Sequence, residues 1–558
     1  MTEQISASLK DILKYCEEHE AVQKAILNYL DGTNNEQNPD ADSQNLANFV
    51  SELNKNNILH DEQEIDELLR MISHIGSNYH RFPDFFPKIF NLLNVIKEDI
   101  SKFYTNEEIF SIFLNIEPIA IFLRDNNLLN FDDDVNYIIK NPDNQGICQY
   151  FNPENKTNEV EYQQAGENHN ILCKLIRLDQ TEDFANFIEE NHINLDSIIP
   201  PSPFETNSYL KSHKDTNLIQ YAVFCGSINV FRYIAEKDLD LLNETVWEYA
   251  IHGDGPEIID FLKEISIPPP KDNFSKCLKL SVINYQKEIT DILRNELITT
   301  TNETNSEENE PNPPKKHYLD PLLKTAVYSH NITQIKELIE KVPENGINEL
   351  FQVACKTGFH KIVKALVNLP VIKINDCISK SVLHKACING DIVTVKQLIA
   401  VPSTNINLQS MKELKDGVHY FDGLTPLEYA IQYGHNKIVE LLLQQDQIDV
   451  NQNSRWRGNF PLNIAAIYGN VKAMDLLLKH PQIDVNVRSN DIYQIKKDLN
   501  LSDGRQSPLH NACINNHIEI VRMLLNHPGI NPNIQNWQDK KPSECTTNQE
   551  IKELFNHD

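Results

Sequence analysis

Histidines, cysteines and acids are the residues of this sequence that could carry catalysis or bind a metal. The 558 residues include 19 histidines and 10 cysteines. No two cysteines form a CxxC pair or follow a regular metal-ligand spacing. Cys355, Cys387 and Cys513 each directly follow an alanine in a similar apolar context. This repeated setting is typical of buried, reduced cysteines that pack in a core.

The acidic residues and the absence of common catalytic motifs also argue against an active site or a metal site. The acids Asp132–Asp134 in "FDDDVNYIIK" open an apolar helical pattern, so we expect them to cap a helix N-terminus rather than hold a metal. The sequence contains no P-loop, HExxH or GxSxG motif, and no GxGxxG after a strand. We therefore expect no catalytic, cofactor-binding or metal-binding residues, and no cofactor.

The elements that would position any functional site come from an internal repeat. The stretch "GLTPLEYAIQYGHNKIVELLLQQDQIDVN" (423–451) returns with the same rhythm at 458–486 and 504–533. A small residue recurs at the centre of each copy, at Ala222, Ala250, Ser281, Ala326, Ala354, Ala386, Ala430, Ala465 and Ala512. Five of the eight spacings between them are close to the roughly 33 residues of one type of helical repeat.

One copy of the repeat predicts a pair of helices. Thr425 can cap the first helix, Pro426 suits its first turn, and Gly434 ends it. Ala430 lies on the face of the first helix that must approach a neighbour closely. Because no single pair can bury both of its sides, neighbouring pairs must stack. We predict stacked antiparallel helix pairs with very little sheet, and burial of Ala354, Ala386, Ala430 and Ala465.

The sequence resembles the ankyrin repeat family. "TPLEYAIQYGHNKIVELLL", "PLHNACINNHIEIVRMLL" and "VLHKACINGDIVTVKQLI" are close to the family pattern, specifically over 318–556 and more loosely over 216–264. The resemblance implies that His384 and His510 bridge neighbouring repeats by hydrogen bonds. His330 and Asn516 stand where the family has a corner glycine, which predicts a cost in backbone strain or in repacking there. Trp247 stands where leucine is usual, and we expect it in the core.

The whole chain is predicted to be all-α, an ankyrin-type helical solenoid preceded by an N-terminal helical domain. The predicted divisions are a helical domain (1–150), divergent ankyrin-like repeats (168–298), a disordered acidic linker (299–316) and ankyrin repeats with a C-terminal cap (317–558). This layout is similar to the ankyrin proteins that are greatly expanded in some parasitic flagellate protists. In those proteins a helical domain of unknown function precedes the repeats, so the resemblance implies no activity.

Composition restricts the partners and the compartment. The 51 lysines and arginines face 80 acids, a formal net charge of -29 that disfavours binding to nucleic acid. The sequence contains no run of about 18 apolar residues, so we expect no membrane span. The N-terminus lacks the basic-then-apolar pattern of a signal peptide, so we expect a cytoplasmic protein, with the nucleus as the alternative. The oligomeric state is left open.

A binding surface is predicted on the fingers, the extended segments that join one repeat to the next. Trp456 and Trp537 each lie five residues before a motif proline. Arg455 and Arg457 flank the first of them, and tryptophan and arginine are enriched at binding hot spots. Two fingers, 401–423 and 485–504, are longer than in the family. Relative to the roughly 33-residue repeat, the first contains about nine extra residues and the second about twelve. The insertions supply further aromatic residues, Tyr420, Phe421 and Tyr493. The alternatives are that each tryptophan folds back onto its own repeat and that the extra length is merely tolerated.

The predicted function is a non-enzymatic scaffold or adaptor that binds an unidentified protein through the finger tips and the concave face of the first helices. An enzyme with an unrecognised site in 1–150 is the first alternative, although His74, His80 and Arg81 look isolated there. A pocket that gathers several titratable groups would favour it. Self-assembly is the second alternative. The polar residues of the last helix, Lys552, Glu553 and Asn556, argue against open-ended stacking.

Overall fold

The structure is a computed structural model of the 558-residue chain. It describes residues 1–31, 41–78, 85–113, 116–126, 128–130, 132–140, 168, 170–200, 207–253, 256–268, 270, 274–294, 319–376, 380–413, 419–420, 423–454, 460–489 and 505–555. The predicted linker 299–316 lies outside these residues. No helix in the described part of the chain is long and apolar enough to cross a membrane.

The chain forms two compact units, which are described separately. The first unit comprises Met1–Thr105, Ile112–Leu129 and Asn152–Ala365. The second unit comprises Asn106–Ser111, Asn130–Phe151 and Leu366–Asp558. Each unit therefore combines segments from the N-terminal quarter of the sequence with a block of repeats.

The N-terminal segments are helical, as predicted from their apolar spacing. Their helices are α1 (Thr2–Asp31), α2 (Ala41–Lys55), α3 (Glu62–Asn78), α4 (Phe85–Phe103), α5 (Asn106–Phe113), α6 (Glu117–Asp125) and α7 (Asp133–Lys140). In the first unit α1 packs against α2 and α4. In the second unit the Asp132 carboxylate accepts the backbone N–H of Val135 (3.0 Å). This bond confirms the predicted helix cap for Asp132.

Helix pairs follow in both units. Those that begin in the first unit are α8 (Ile171–Arg177), α9 (Thr181–Glu190), α10 (Ser208–Ser212), α11 (Leu218–Phe224), α12 (Ile228–Lys237), α13 (Val246–His252), α14 (Pro256–Glu264), α15 (Ser275–Ile283), α16 (Lys287–Ile292), α17 (Pro321–Tyr328), α18 (Ile332–Leu338), α19 (Ile347–Thr357) and α20 (His360–Leu366). Those of the second unit are α21 (Val382–Ile388), α22 (Ile392–Ile399), α23 (Pro426–Tyr433), α24 (Asn436–Leu443), α25 (Pro461–Tyr468), α26 (Val471–Leu478), α27 (Pro508–Ile514), α28 (Ile518–Leu525) and α29 (Gln549–Leu554). Short 3-10 turns cover Ile58–His60, Leu239–Leu241, Ile339–Lys341, Glu344–Gly346 and Pro542–Glu544.

The first helices of successive repeats stack on one another through the predicted small residues. Within the second unit α21 packs on α23, α23 on α25, and α25 on α27. The four alanines predicted to be buried, Ala354 on α19 of the first unit and Ala386, Ala430 and Ala465 on the first helices of the second unit, all have no exposed surface. The prediction is confirmed, and the reason is steric, because a larger side chain there would hold the neighbouring helices apart.

Sheet is scarce, as predicted. The described residues contain one two-stranded ladder, β1 (Lys412–Glu413) with β2 (His419–Tyr420), at the base of the first finger insertion. An isolated bridge also joins Ile198 to Asn217.

Residues that depart from the repeat pattern behave as the sequence predicts. His330 and Asn516 occupy the corner-glycine position with φ of 53° and 58°, a left-handed conformation that costs free energy in a non-glycine residue. Trp247 is 2% exposed, packs edge-to-face on Phe274, and donates its indole N–H to Pro268 O (3.0 Å). The tryptophan is therefore a core residue.

The cysteines and the last helix also match their predictions. Cys355, Cys387 and Cys513 are buried and not paired in disulfides. In α29, Ile551 faces the core, whereas Lys552 and Glu553 are exposed. Helix α29 therefore has an apolar inner face and a polar outer face.

Candidate functional site

The structure describes only part of the predicted binding surface. Arg455, Trp456, Arg457, Phe421 and Tyr493 lie outside the described residues. Of Tyr420 only the backbone is described, and it pairs with Lys412. Trp537 is half-buried in a turn that Asn536 closes by donating its N–H to Lys540 O (3.0 Å). The described residues do not bring the predicted set together, so the set stays a prediction.

The first finger insertion leaves the array at a closed neck. The N–H of Ser410 donates to Leu424 O (2.9 Å), and the N–H of Gly423 donates to Ser410 O (3.1 Å). The buried Ser410 hydroxyl also contacts the Tyr429 hydroxyl on helix α23 (3.2 Å). The two ends of the insertion are therefore fixed to each other and to a first helix.

The second insertion has an equivalent neck. The N–H of Ser489 donates to Gln506 O (3.0 Å), and the N–H of Arg505 donates to Ser489 O (3.1 Å). Asn463 on helix α25 donates its side-chain amide to the same Gln506 carbonyl (2.9 Å). Both insertions thus start and end at matching positions of their two fingers, as their places in the repeat predict.

An asparagine ladder holds the fingers in register. The side-chain amide of Asn451 donates to Gln482 O (2.6 Å), and its oxygen accepts the N–H of Asp484 (3.0 Å). The same pair of bonds is formed by the equivalent residues Asn375, Asn407 and Asn486. Each finger is therefore tied to the next by two hydrogen bonds from one side chain.

The motif histidines connect the first helices to the fingers. The Nδ1 of His384 accepts the N–H of Ser381 (3.1 Å), and its Nε2 faces Leu408 O (2.8 Å). The Nε2 of His510 faces Lys540 O (2.9 Å) in the same way. Burial lowers the pKa of His384 to about 4 and also lowers the pKa of His510. Both predicted bridges are confirmed, and both rings act as neutral structural groups.

A network of acids and bases surrounds the repeat corners of the first unit, a corner being the turn between the two helices of one repeat. Lys361 Nζ pairs with Glu64 Oε1 (2.5 Å), and His19 Nε2 pairs with Glu64 Oε2 (2.8 Å). The N–H of Lys361 and the Tyr15 hydroxyl both donate to Glu67. Burial alone would raise the pKa of Glu64, but hydrogen bonds from His19 and Lys361 outweigh it and lower that pKa. Burial raises the pKa of Glu67.

Histidines form the second part of this network. His360 Nε2 lies 3.2 Å from Asp66 Oδ2, which also accepts the Nε–H of Arg70 (2.5 Å). The His74 ring stacks on His330 with centroids 5.0 Å apart. Burial, together with Arg70, lowers the pKa of His74 to about 4. Burial also holds the pKa of His330 well below its usual range, and the neighbouring His74 lowers it further. Both stacked rings are therefore neutral near pH 7.

The second unit uses the same chemistry at the corner of helices α23 and α24. Lys437 Nζ pairs with Glu108 Oε2 (2.8 Å), and His435 Nδ1 lies 3.4 Å from Glu107 Oε1. The Tyr137 hydroxyl donates to a backbone carbonyl of this corner (3.1 Å). The chain's own acidic helix α5 is therefore docked on a basic repeat corner.

In these clusters the acids and bases pair with one another and connect helices within each unit. Among the described residues no three histidine, cysteine or acidic side chains converge as metal ligands. A pocket of about 240 Å³ in the first unit holds Lys24 and Glu52, which pair with Glu20 and Lys55. It does not gather the several titratable groups that would favour an enzyme.

Sequence reasoning missed the corner contacts. His74 was expected to be isolated, and this expectation is wrong, because the ring packs against His330, far along the chain. One signal was available. His360 and Lys361 in one repeat, and His435 and Lys437 in another, place a histidine and a lysine at matching corners.

Comparisons with known proteins agree with the repeat. A family model described as ankyrin repeats, in three copies, matches residues 383–491 and 457–536. A stretch of 124 residues, 22% of this chain, is 31% identical to Transient receptor potential cation channel subfamily A member 1 of Homo sapiens, and the chain spans about a tenth (10%) of that protein. The crystal structure of the ankyrin repeat domain of Bcl-3, described as a unique member of the IkappaB protein family, matches 42% of this chain and 98% of its own at 19% identity and a TM-score of 0.33. Ankyrin repeats generally mediate protein–protein interactions, and the family is typically non-enzymatic. Residues 383–536 are therefore similar to ankyrin repeats.

Proposed function

We propose that this chain is a non-enzymatic scaffold or adaptor that binds another protein through its finger tips and the concave face of its first helices. The observation that carries the proposal is the finger edge of the second unit. Four asparagines tie successive fingers together, and both insertions rise from closed necks on that edge. Loops on a rigid edge lose less conformational entropy on binding than loops on a mobile edge.

The residues proposed to make the contact are aromatic and basic. They are Arg455, Trp456, Arg457, Trp537, Tyr420, Phe421 and Tyr493. Trp537 supports the proposal in one respect, since its side chain is only partly buried. Tryptophan and arginine side chains are the ones that most often dominate binding free energy at protein interfaces.

The partner is proposed to be a protein rather than a nucleic acid. The formal net charge of -29 repels a polyanion at long range. The arginines near Trp456 would form local charge-assisted hydrogen bonds with carboxylates of the partner. We place this activity in the cytoplasm, with the nucleus as the alternative.

The test is affinity capture with the full chain and with a Trp456→Ala, Trp537→Ala variant, followed by quantitative mass spectrometry. The affinity of the most enriched partner is then measured with purified proteins. We expect the variant to lose at least about thirtyfold in affinity. Ile198→Ala is the matched control, because it removes an apolar side chain that is 57% exposed in the first unit. Unchanged affinity in a variant that still melts like the wild type would refute the proposed site.

A further inference from the structure

The finger between α9 and α11, residues 191–217, contains the short helix α10 and belongs to the first unit. The N–H of Ile199 donates to Thr216 O (2.9 Å). The same bond closes the necks of the two insertions of the second unit, where the acceptors are Leu424 and Gln506. In all three fingers the acceptor is the residue before a helix cap. Helix α10 is therefore part of a third finger insertion, and here the structure shows what the inserted segment covers.

Helix α10 is anchored on the first helices of two repeats by two buried side chains. Tyr209 is 8% exposed and Leu210 is 7% exposed. The Tyr209 ring packs on Phe224 of α11, with ring centroids 6.4 Å apart. It also packs on Tyr249 and His252 of α13, with centroids 5.2 Å and 4.4 Å away. One aromatic ring therefore covers a face that two successive first helices share.

The polar groups of this contact are specific. The Tyr209 hydroxyl donates to Glu248 Oε2 of α13 (2.9 Å), which also pairs with Lys276 Nζ (2.5 Å). Burial raises the pKa of Tyr209 and the Glu248 carboxylate raises it further, so the hydroxyl keeps its proton. The Asn207 side chain caps α10 by accepting the N–H groups of Tyr209 (2.9 Å) and Leu210 (3.3 Å). The occupant is therefore a capped helical turn with a tyrosine followed by a leucine.

The second unit shows the same face without this cover. Phe224 and His252 each stand two residues after a stacking alanine and are 5% and 7% exposed. The counterparts with partly or largely exposed side chains in the second unit are Ile388, Ile467 and Ile514. The remaining counterpart, Gln432, is 8% exposed, and its carbonyl accepts the Tyr137 hydroxyl (3.1 Å). The position is therefore buried in places where a tyrosine of the chain's own helices lies beside it.

We propose that this face of α11 and α13 is a binding site for a capped helical turn with a tyrosine and a leucine, and that α10 occupies it as an internal competitor. A partner segment of that chemistry binds there only after α10 has left. The inference rests on the proposed function in one respect, namely that the face of the first helices is a partner surface. It adds the chemistry of the ligand and a means of regulation.

Helix α10 can leave without disturbing the repeats. It has five residues, and an isolated helix of that length is not stable in water, so its anchors hold it in place. The neck bond between Ile199 and Thr216 lies outside α10 and remains when the helix leaves. Helix α10 also contacts α3. Helix α3 keeps its own contacts to the repeats through Glu67 and His74.

The test uses a fluorescein-labelled peptide with the sequence of residues 206–214, TNSYLKSHK, titrated with the full chain and followed by fluorescence anisotropy. We expect saturable binding to the Tyr209→Ala, Leu210→Ala chain, in which α10 has lost both anchors. Binding to the wild type should be at least tenfold weaker, because a tethered segment competes at an effective concentration on the order of millimolar. A Tyr209→Ala peptide should bind the double variant at least tenfold more weakly than the unchanged peptide.

Tyr233→Ala is the matched control. It removes a partly buried tyrosine from α12 in the same repeat and leaves α10 in place. This variant should bind the peptide as weakly as the wild type. The proposal fails if the double variant melts like the wild type and shows no saturable binding. It also fails if the wild type binds the peptide equally well, or if the Tyr209→Ala peptide binds as tightly as the unchanged one.

Hydrogen exchange of the wild-type chain tests the release of α10 without any variant. The N–H of His213 donates to Tyr209 O (3.2 Å) in α10, and the N–H of Tyr221 donates to Asn217 O (3.0 Å) in α11. We expect at least tenfold weaker protection at His213. Equal protection would mean that α10 opens only together with the repeats, which would overturn the proposal. Neither experiment uses a partner protein, so the result is independent of the affinity-capture test of the proposed function.

Discussion

Replacement of Asn451 by alanine should weaken the connection between its finger and the next one. The side chain makes two hydrogen bonds to the next finger, one through its amide and one through its oxygen. A hydrogen bond contributes about 0.5–1.5 kcal/mol net, so the two bonds together contribute about 1–3 kcal/mol. Both bonds lie at the surface, where water can replace the lost partner. We therefore expect a loss of about 1–2 kcal/mol in local stability.

Hydrogen exchange of single amides is the appropriate assay, because a long array with several parts does not unfold in a single two-state step. In Asn451→Ala the N–H of Asp484 loses its acceptor, so its exchange should accelerate by about five- to thirtyfold. The matching N–H of Asn531, which Asn486 accepts, should keep its protection. Asn451→Asp is the sharper control, because the carboxylate still accepts the Asp484 N–H but can no longer donate to Gln482 O.

The outcome that contradicts this reasoning is specific. If Asp484 exchanges equally fast in the wild type and in Asn451→Ala, the ladder does not hold the fingers, and the rigid edge that supports the proposed function is lost. If Asn451→Asp behaves like Asn451→Ala, the acceptor bond is not the one that protects the amide.

Two further predictions concern the core. Ala430→Leu should overpack the contact between first helices and cost about 1–3 kcal/mol in the local stability that hydrogen exchange of the α23 amides measures, whereas Glu440→Leu on the exposed face should change it by less than about 0.5 kcal/mol. The pKa values of His74 and His384 are lowered by burial to about 4, so the folded state binds fewer protons than the unfolded state. The stability that these rings contribute is complete above about pH 6.5 and is lost as the pH falls toward about 4, on the order of 3 kcal/mol for each ring. Thermal melts between these pH values measure the loss, and His384→Gln should reduce it. Melting temperatures independent of pH in this range would contradict the assignment.

Much of the repeat block could be predicted from the sequence because its determinants are local. Ala430 and Ala465 recur at fixed places in a short pattern, and their small size is required wherever first helices touch. His384 and His510 occupy a fixed place in the repeat motif, so the resemblance to the ankyrin repeat family was enough to locate both bridges. In each case the residues that specify the structure lie within one repeat or its neighbour.

The corner contacts could not be predicted because their partners are distant in sequence. Glu108 and Lys437 are 329 residues apart, and Gln23 and Ile332 are 309 residues apart. Periodicity shows that Glu108 lies in a helix but not which surface that helix covers. The positions of the predicted finger-tip residues could not be derived from the sequence for a different reason. The necks at Ser410 and Ser489 show where each insertion begins, but neither the repeat nor its hydrogen bonds determine the path of the inserted residues.

In the first unit the N-terminal helices complete the repeats rather than merely precede them. The first backbone N–H groups of any helix have no partner within that helix. At α18 the Gln23 side-chain oxygen accepts the N–H of Ile332 (2.5 Å), and at α20 the carboxylate of Glu67 accepts the N–H of Lys361 (2.8 Å). A carboxylate at a helix N-terminus is also favoured by the helix dipole. Because Gln23 and Glu67 are 2% exposed, water could not easily take over these bonds. Repeats separated from residues 1–105 would therefore expose unsatisfied helix ends at the corners where the network of acids and histidines now lies.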